Sequence, residues 1–449
     1  MRRPKPILAL LAMLACGVSS QPSSFEPRGS SDVQIKWARK TIQIALSTSL
    51  TFPSASIMEG SDVEGAVKRA LESWANAANI KFVVVSSKGQ SVSPANQADG
   101  TNLITVAPTN ENLAMFGDEN NAARTRVFYD PATGEINEAD IVLNPFPYSG
   151  EGVPLQFSTD GTPGTYDLES TLAHEIGHLL GLNHSSVIAA TMQASQGLNG
   201  IYGLPASSER SLSEADRVAV RSLYGPCENL GAVKGRISNS SQSSLPVAGG
   251  HVWLEDLATG RVIADSLTRS NGSFNIRCVP AGDYRVMAES VDESFVITSV
   301  GDKLIGPRGF RSIEISSSLR VTAEKTTAMN YVFVSPQNSP RALVPRLLGM
   351  NGDLSTVPVS AKAGATITLY IAGQGVDQVP GNGFVITSPF ITVDAASLTL
   401  QQTHRALPVI SFEVTIGANA PPGDYTVRLQ LNSGETAYLA GAITIEPGF

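Results

Sequence analysis

Three of the chain's five histidines fall in LAHEIGHLLGLNHSSVIAATM, residues 172–192, spaced four and then six apart. A helix advances about 3.6 residues per turn, so His174 and His178 share one face with rings able to converge on a single ion. Glu175 projects roughly 100° around, beside that ion and not beneath it. Gly181 can end the helix in a left-handed conformation without a Cβ penalty, which lets the chain reverse and return His184 to the same point. Three neutral imidazoles leave a fourth position open, the arrangement of a catalytic and not of a closed structural zinc. Chance would place three histidines and the glycine at these offsets about 6 × 10⁻⁵ times in a chain of this composition. A helix whose histidines make only ordinary hydrogen bonds leaves Glu175 and Gly181 in register without a reason.

These residues need elements to hold them. Asp167 to Leu180 reads as a helix with Asp167 as N-cap and Glu169 in its first turn. Asp62 to Ala78 carries Val63, Val67, Ala70, Leu71, Trp74 and Ala78 at helical spacing and should pack on a sheet. Ser213 to Leu223 is a third helix, with Ser213 as cap and Asp216 three residues on, stopped by Gly225 and Pro226. Strands are expected at Lys40–Ser47, Ile80–Val85, Leu103–Ala107, Arg124–Tyr129 and Ile136–Leu143.

After Pro226 the pattern becomes short alternating runs between Gly, Pro, Asn and Ser clusters, the mark of β-sandwiches. VPAGDYRVMAE (279–289) and PPGDYTVRLQL (421–431) echo each other, and Tyr284 and Tyr425 should pack at sandwich corners and bond a backbone group. SPQNSPRA (335–342) reads as the linker between the two sandwiches.

At 449 residues, two to four domains are expected. A net charge of -8 implies no basic surface and argues against nucleic acid as a partner. Arg2, Arg3 and Lys5 followed by ILALLAMLA form a leader too short to span a bilayer, so residues 1–20 read as a signal peptide and 21–31 as a linker. Secretion is the expected outcome. LAMLAC ending at Cys16 also resembles a lipoprotein box, the one route by which a membrane would become a partner. In an oxidising compartment Cys227 and Cys278 could pair or remain separate buried thiols.

HEIGHLLGLNHSS followed by TM resembles the metzincin signature, H-E-x-x-H-x-x-G-x-x-H with a Met-turn. It is most similar to the matrixins, with ALESWANAANIKF and LSEADRVAVRSLYG in supporting positions. The resemblance covers residues 32–226 and implies an α+β catalytic domain with a twisted mixed sheet and three helices. It implies His174, His178 and His184 as ligands of one catalytic Zn2+, Glu175 as general base, and Met192 as a floor beneath the metal. Departures are also visible. No cysteine lies between Gly17 and Pro226, which removes the thiol latency switch, and no histidine precedes His174 to build a structural zinc site. Met192 is followed by Gln193 and Ala194 without the usual proline and tyrosine, so the pocket shaped by 193–207 does not carry over. Calcium would have Asp118, Glu119, Asp130, Glu135, Asp140 and Asp160 to choose from, although ordinary solvated acids explain them better and nothing further supports the ion.

Residues 227–335 are similar to the carboxypeptidase regulatory-like (transthyretin-like) sandwich, in which a Cys227–Cys278 clip is geometrically reasonable, and 342–449 to an immunoglobulin-type sandwich. His251 and His404 look isolated and structural. The expectation is therefore a multidomain, secreted zinc endopeptidase acting on protein or peptide substrate. The rival is an extracellular adhesion or carbohydrate-binding protein with an inactive, metal-stabilised metzincin domain.

Overall fold

The computed structural model describes residues 33–51, 54–117, 120–149, 152–204, 210–239, 245–290, 309–335 and 340–447. The leader, the 21–31 linker and Cys16 lie outside them, as do Asp118, Glu119, positions 205–207 and positions 336–339 of the inter-sandwich linker.

Five strands form the first sheet: β1 (Thr41–Ser47), β2 (Lys81–Ser87), β3 (Leu103–Thr105), β4 (Ala123–Tyr129) and β5 (Ile136–Leu143), in the order β2-β1-β3-β5-β4. The first three and β5 run parallel, while β4 lies antiparallel on the edge. Helix α1 (Val63–Ala77) is capped by Asp62, whose carboxylate accepts from Gly65 N, and buries Ala66, Val67, Ala70, Leu71, Trp74 and Ala77. Trp74 is fully buried and its indole N–H donates to Ala173 O at 2.8 Å, joining α1 to α3 (Leu168–Leu179). A five-residue helix α2 (Asn110–Ala114), capped by Thr109, is too short to carry a periodic signal and was not expected from the sequence. Two-residue strands β6 (Phe157–Ser158) and β7 (Tyr166–Asp167) pair just before α3. Helix α4 (Glu214–Tyr224) has a full capping box between Ser213 and Asp216.

Two further pairs of sheets follow. The first sandwich holds β8 (Leu230–Asn239), β9 (Gly250–Asp256), β10 (Val262–Leu267), β11 (Ser273–Pro280), β12 (Gly282–Ser290), β13 (Ile313–Val321) and β14 (Thr326–Val334). Its sheets run β10-β9-β12-β13 and β11-β8-β14. The second sandwich comprises β15 (Val344–Met350), β16 (Asp353–Ser355), β17 (Val359–Ala361), β18 (Thr366–Gln374), β19 (Phe384–Ile386), β20 (Ile391–Leu400), β21 (Val409–Ile416), β22 (Gly423–Gln430) and β23 (Thr436–Ile445). These pair as β16-β15-β18-β21-β20 and β17-β23-β22-β19. The two corner tyrosines play the same part in each sandwich: Tyr284 donates to Pro280 O at 2.8 Å and Tyr425 to Pro421 O at 2.5 Å. Cys227 and Cys278 are disulfide-bonded, with Cα atoms 5.0 Å apart, so the segment after α4 is clipped to β11. The division after Pro226 is not a clean one, because Val218 of α4 belongs to the core of the first sandwich.

Candidate metal centre

Helix α3 starts where Asp167 accepts from Ser170 N at 2.9 Å, and the same buried carboxylate takes a 2.6 Å ion pair from Arg210. One turn separates His174 from His178, the two residues of the helix that are only partly buried. The helix then stops in a complete Schellman motif: Gly181 N donates to His178 O at 2.8 Å and Leu182 N to Gly177 O at 3.0 Å. Gly181 has φ +92°, and a Cβ there would lie 2.2 Å from Ile35 O, so both the backbone angle and the close approach require glycine. The chain reverses and His184 comes back. The three Nε2 atoms stand 3.1 Å from one another.

His174 Nδ1 lies 2.8 Å from Thr191 O and His178 Nδ1 lies 2.9 Å from Leu182 O. A carbonyl accepts only, so each Nδ1 carries the proton and each Nε2 presents a lone pair. Lone pairs at 3.1 Å cannot satisfy one another. A cation can, and nitrogens about 2.0–2.1 Å from a tetrahedral zinc are separated by about 3.3 Å, close to the observed spacing. Burial, together with charge repulsion among the rings for His178 and His184, holds all three imidazoles below their ordinary range. His178 is pushed down to about 3. The rings are therefore neutral, the form that ligates. Among the described residues, this trio is the group of His, Cys, Asp or Glu arranged to hold a metal.

Glu175 lies beside the trio, 6% exposed. Its carboxylate accepts from the Thr125 hydroxyl on β4, which also donates to Glu175 O at 3.1 Å. Burial pushes the carboxyl up to about 7, against the pull of Thr125 and the Arg124 guanidinium. Met192 is 2% exposed and lies under α3, where a Cβ on Gly177 would meet its sulfur at 2.1 Å. The turn that carries it is held by Asp216, whose carboxylate accepts from Thr191 N at 2.8 Å and Met192 N at 3.2 Å as well as from the Ser213 cap.

Residues 109–225 match the Matrixin family model. Over 194 residues the chain is 27% identical to karilysin of Tannerella forsythia, covering 42% of this chain and 33% of that one. It is 28% identical over 168 residues to interstitial collagenase of Sus scrofa, covering 37% and 29%. The matches thus span about a third of the length of these relatives. The major pilin subunit of Bacillus cereus is similar over 46% of this chain and 66% of its own, at 11% identity and a TM-score of 0.15, too slight a likeness to bear on fold or role. The matches support a matrixin-like catalytic domain of the zinc metalloprotease family.

Outside the trio, three of the acids considered for calcium make local hydrogen bonds. Asp140 is buried and accepts from Leu103 N and Ser93 N, Asp130 from Ala132 N, and Asp160 from Thr162. In the first sandwich, His251 proves not to be isolated: it is fully buried, stacked on Trp253, with Asp265 3.6 Å and Glu289 3.4 Å from its two ring nitrogens. Sequence reasoning missed Thr125, Gly177 and Asp265, and read Asp216 as part of the α4 cap without its bonds to the Met192 turn.

Proposed function

We propose that the chain is an exported zinc-dependent endopeptidase in which His174, His178 and His184 hold the ion and Glu175 is the general base. When bound, zinc supplies a Lewis acid that polarises a carbonyl and lowers the pKa of water towards about 7. The chain's own residues do the rest. Glu175 takes the proton that the attacking water loses and delivers it to the departing amine as the C–N bond breaks. Thr125 orients that carboxylate and ties it to β4, the sheet edge along which an extended peptide can add through main-chain hydrogen bonds. Export rests on the leader, and membrane attachment would require lipidation of Cys16.

The observation that carries this reading is the convergence of three Nε2 atoms, 3.1 Å from one another, with Glu175 next to His174 in the helix. Casein hydrolysis by the purified full chain tests it. A chelator should abolish activity and added zinc restore it. Glu175→Gln should lower kcat by about 10²–10⁴-fold while zinc content is unchanged. A zinc-loaded wild type inactive on every peptide tried would contradict it.

A further inference from the structure

Two of the three histidines stand on α3, but His184 stands on the loop after it, and much of what holds that loop lies outside the matrixin-like unit. Ser185, the next residue, donates its hydroxyl to Asp265 Oδ2 at 2.9 Å, across 80 positions of sequence to β10. The same hydroxyl accepts from Val187 N at 3.1 Å, and Ser185 N donates to Met192 O at 2.9 Å. One residue therefore closes the His184–Met192 loop and moors it to the first sandwich. Asp265 Oδ2 also lies 3.6 Å from His251 Nε2.

The rest of the loop faces the same way. Val187 and Ala190 are buried in a cluster with Trp253, Val262 and Met287 of the first sandwich and Ala440 of the second. Ile188 N donates to Ala440 O at 2.8 Å. Gly441 approaches so closely that a Cβ on it would lie 2.7 Å from Val187 Cγ1. The junction of three units is thus built around the segment joining the third histidine to the methionine.

We propose that the two sandwiches are the foundation of the metal centre, with Asp265 a positioning residue that acts through Ser185 to place His184. This rests on the zinc reading above and goes beyond it by assigning the sandwiches to the site itself. A short loop with few bonds of its own would otherwise have to be ordered when the metal binds, and that cost would be subtracted from affinity. Partners one step removed from a metal ligand commonly matter in this way.

The test measures zinc dissociation constants of the full chain by competition with a chromogenic chelator, together with amide exchange of residues 185–192 in the metal-free protein. Ser185→Ala and Asp265→Ala should each weaken zinc binding by about 10–100-fold and speed that exchange. Asp265→Asn, whose amide oxygen still accepts the serine hydroxyl, should return to within a few-fold of wild type. If Asp265→Ala does not fold, Ser185→Ala, which removes a single oxygen, decides. Wild-type affinity and exchange in Ser185→Ala overturn the proposal, as does a lowered melting temperature with unchanged affinity. A wild type that binds no zinc overturns the zinc reading along with it, whereas tight wild-type binding with indifferent variants overturns this inference alone.

Discussion

Gly177 has no Cβ, and Met192 and Trp74 occupy the space beside it: an added methyl would meet Met192 Sδ at 2.1 Å and the Trp74 ring at 2.9 Å. Alanine in a helix interior normally gains about 1 kcal/mol over glycine. Here overpacking, which costs about 1–3 kcal/mol, should win, because both neighbours are buried and cannot move freely. Gly177→Ala should therefore lower the melting temperature, and a thermal scan showing stabilisation would mean that Met192 does not sit where it is described. At this scale the convergence of the three imidazoles was legible because metal chemistry prescribes residue type and spacing together. Thr125, 50 positions from Glu175, and Asp216, 24 from Met192, have no such rule, since only the folded chain brings them together.

Helix ends were legible for a related reason. Asp167 and Ser213 cap the helices expected of them, and Gly181 ends α3 with the left-handed φ that its place required. Gly181→Ala should destabilise by more than about 1 kcal/mol in denaturant titration, since it meets both the +92° backbone angle and the Ile35 carbonyl. What the strand pattern could not show is the charge inside β9. Burial alone pulls the His251 imidazole down, but the Asp265 and Glu289 carboxylates outweigh it and raise the ring to about 9 from 6.5. A group raised on folding stabilises fully below its unfolded value and loses that contribution as pH climbs through its folded one. Stability should therefore fall between about pH 6.5 and 9, and His251→Gln should flatten that slope in pH-dependent unfolding. An unaltered slope would remove the ion pair from the account.

On the scale of the whole molecule, turn residues and alternation disclosed the all-β region after Pro226, and the echoing Asp-Tyr pairs disclosed the tyrosines that bond a backbone carbonyl there. The docking of that region against the His184–Met192 loop was not disclosed, because contact between surfaces from distant parts of a chain leaves no periodicity. The one trace is the apolar run VIAA after His184, in a stretch that a solvent-facing loop would keep polar, and its Val187, Ile188 and Ala190 are 0%, 3% and 3% exposed. A molecule joined in this way has a chemical centre that depends on all of its parts, and everything attributed to that centre requires a cation among the three imidazoles. Elemental analysis of the full chain after gel filtration tests this most directly. The account predicts a single zinc ion per chain in the wild type and its loss in His184→Ala. Wild-type protein free of stoichiometric metal after equilibration with zinc, or a His184→Ala variant that keeps it, would contradict the account.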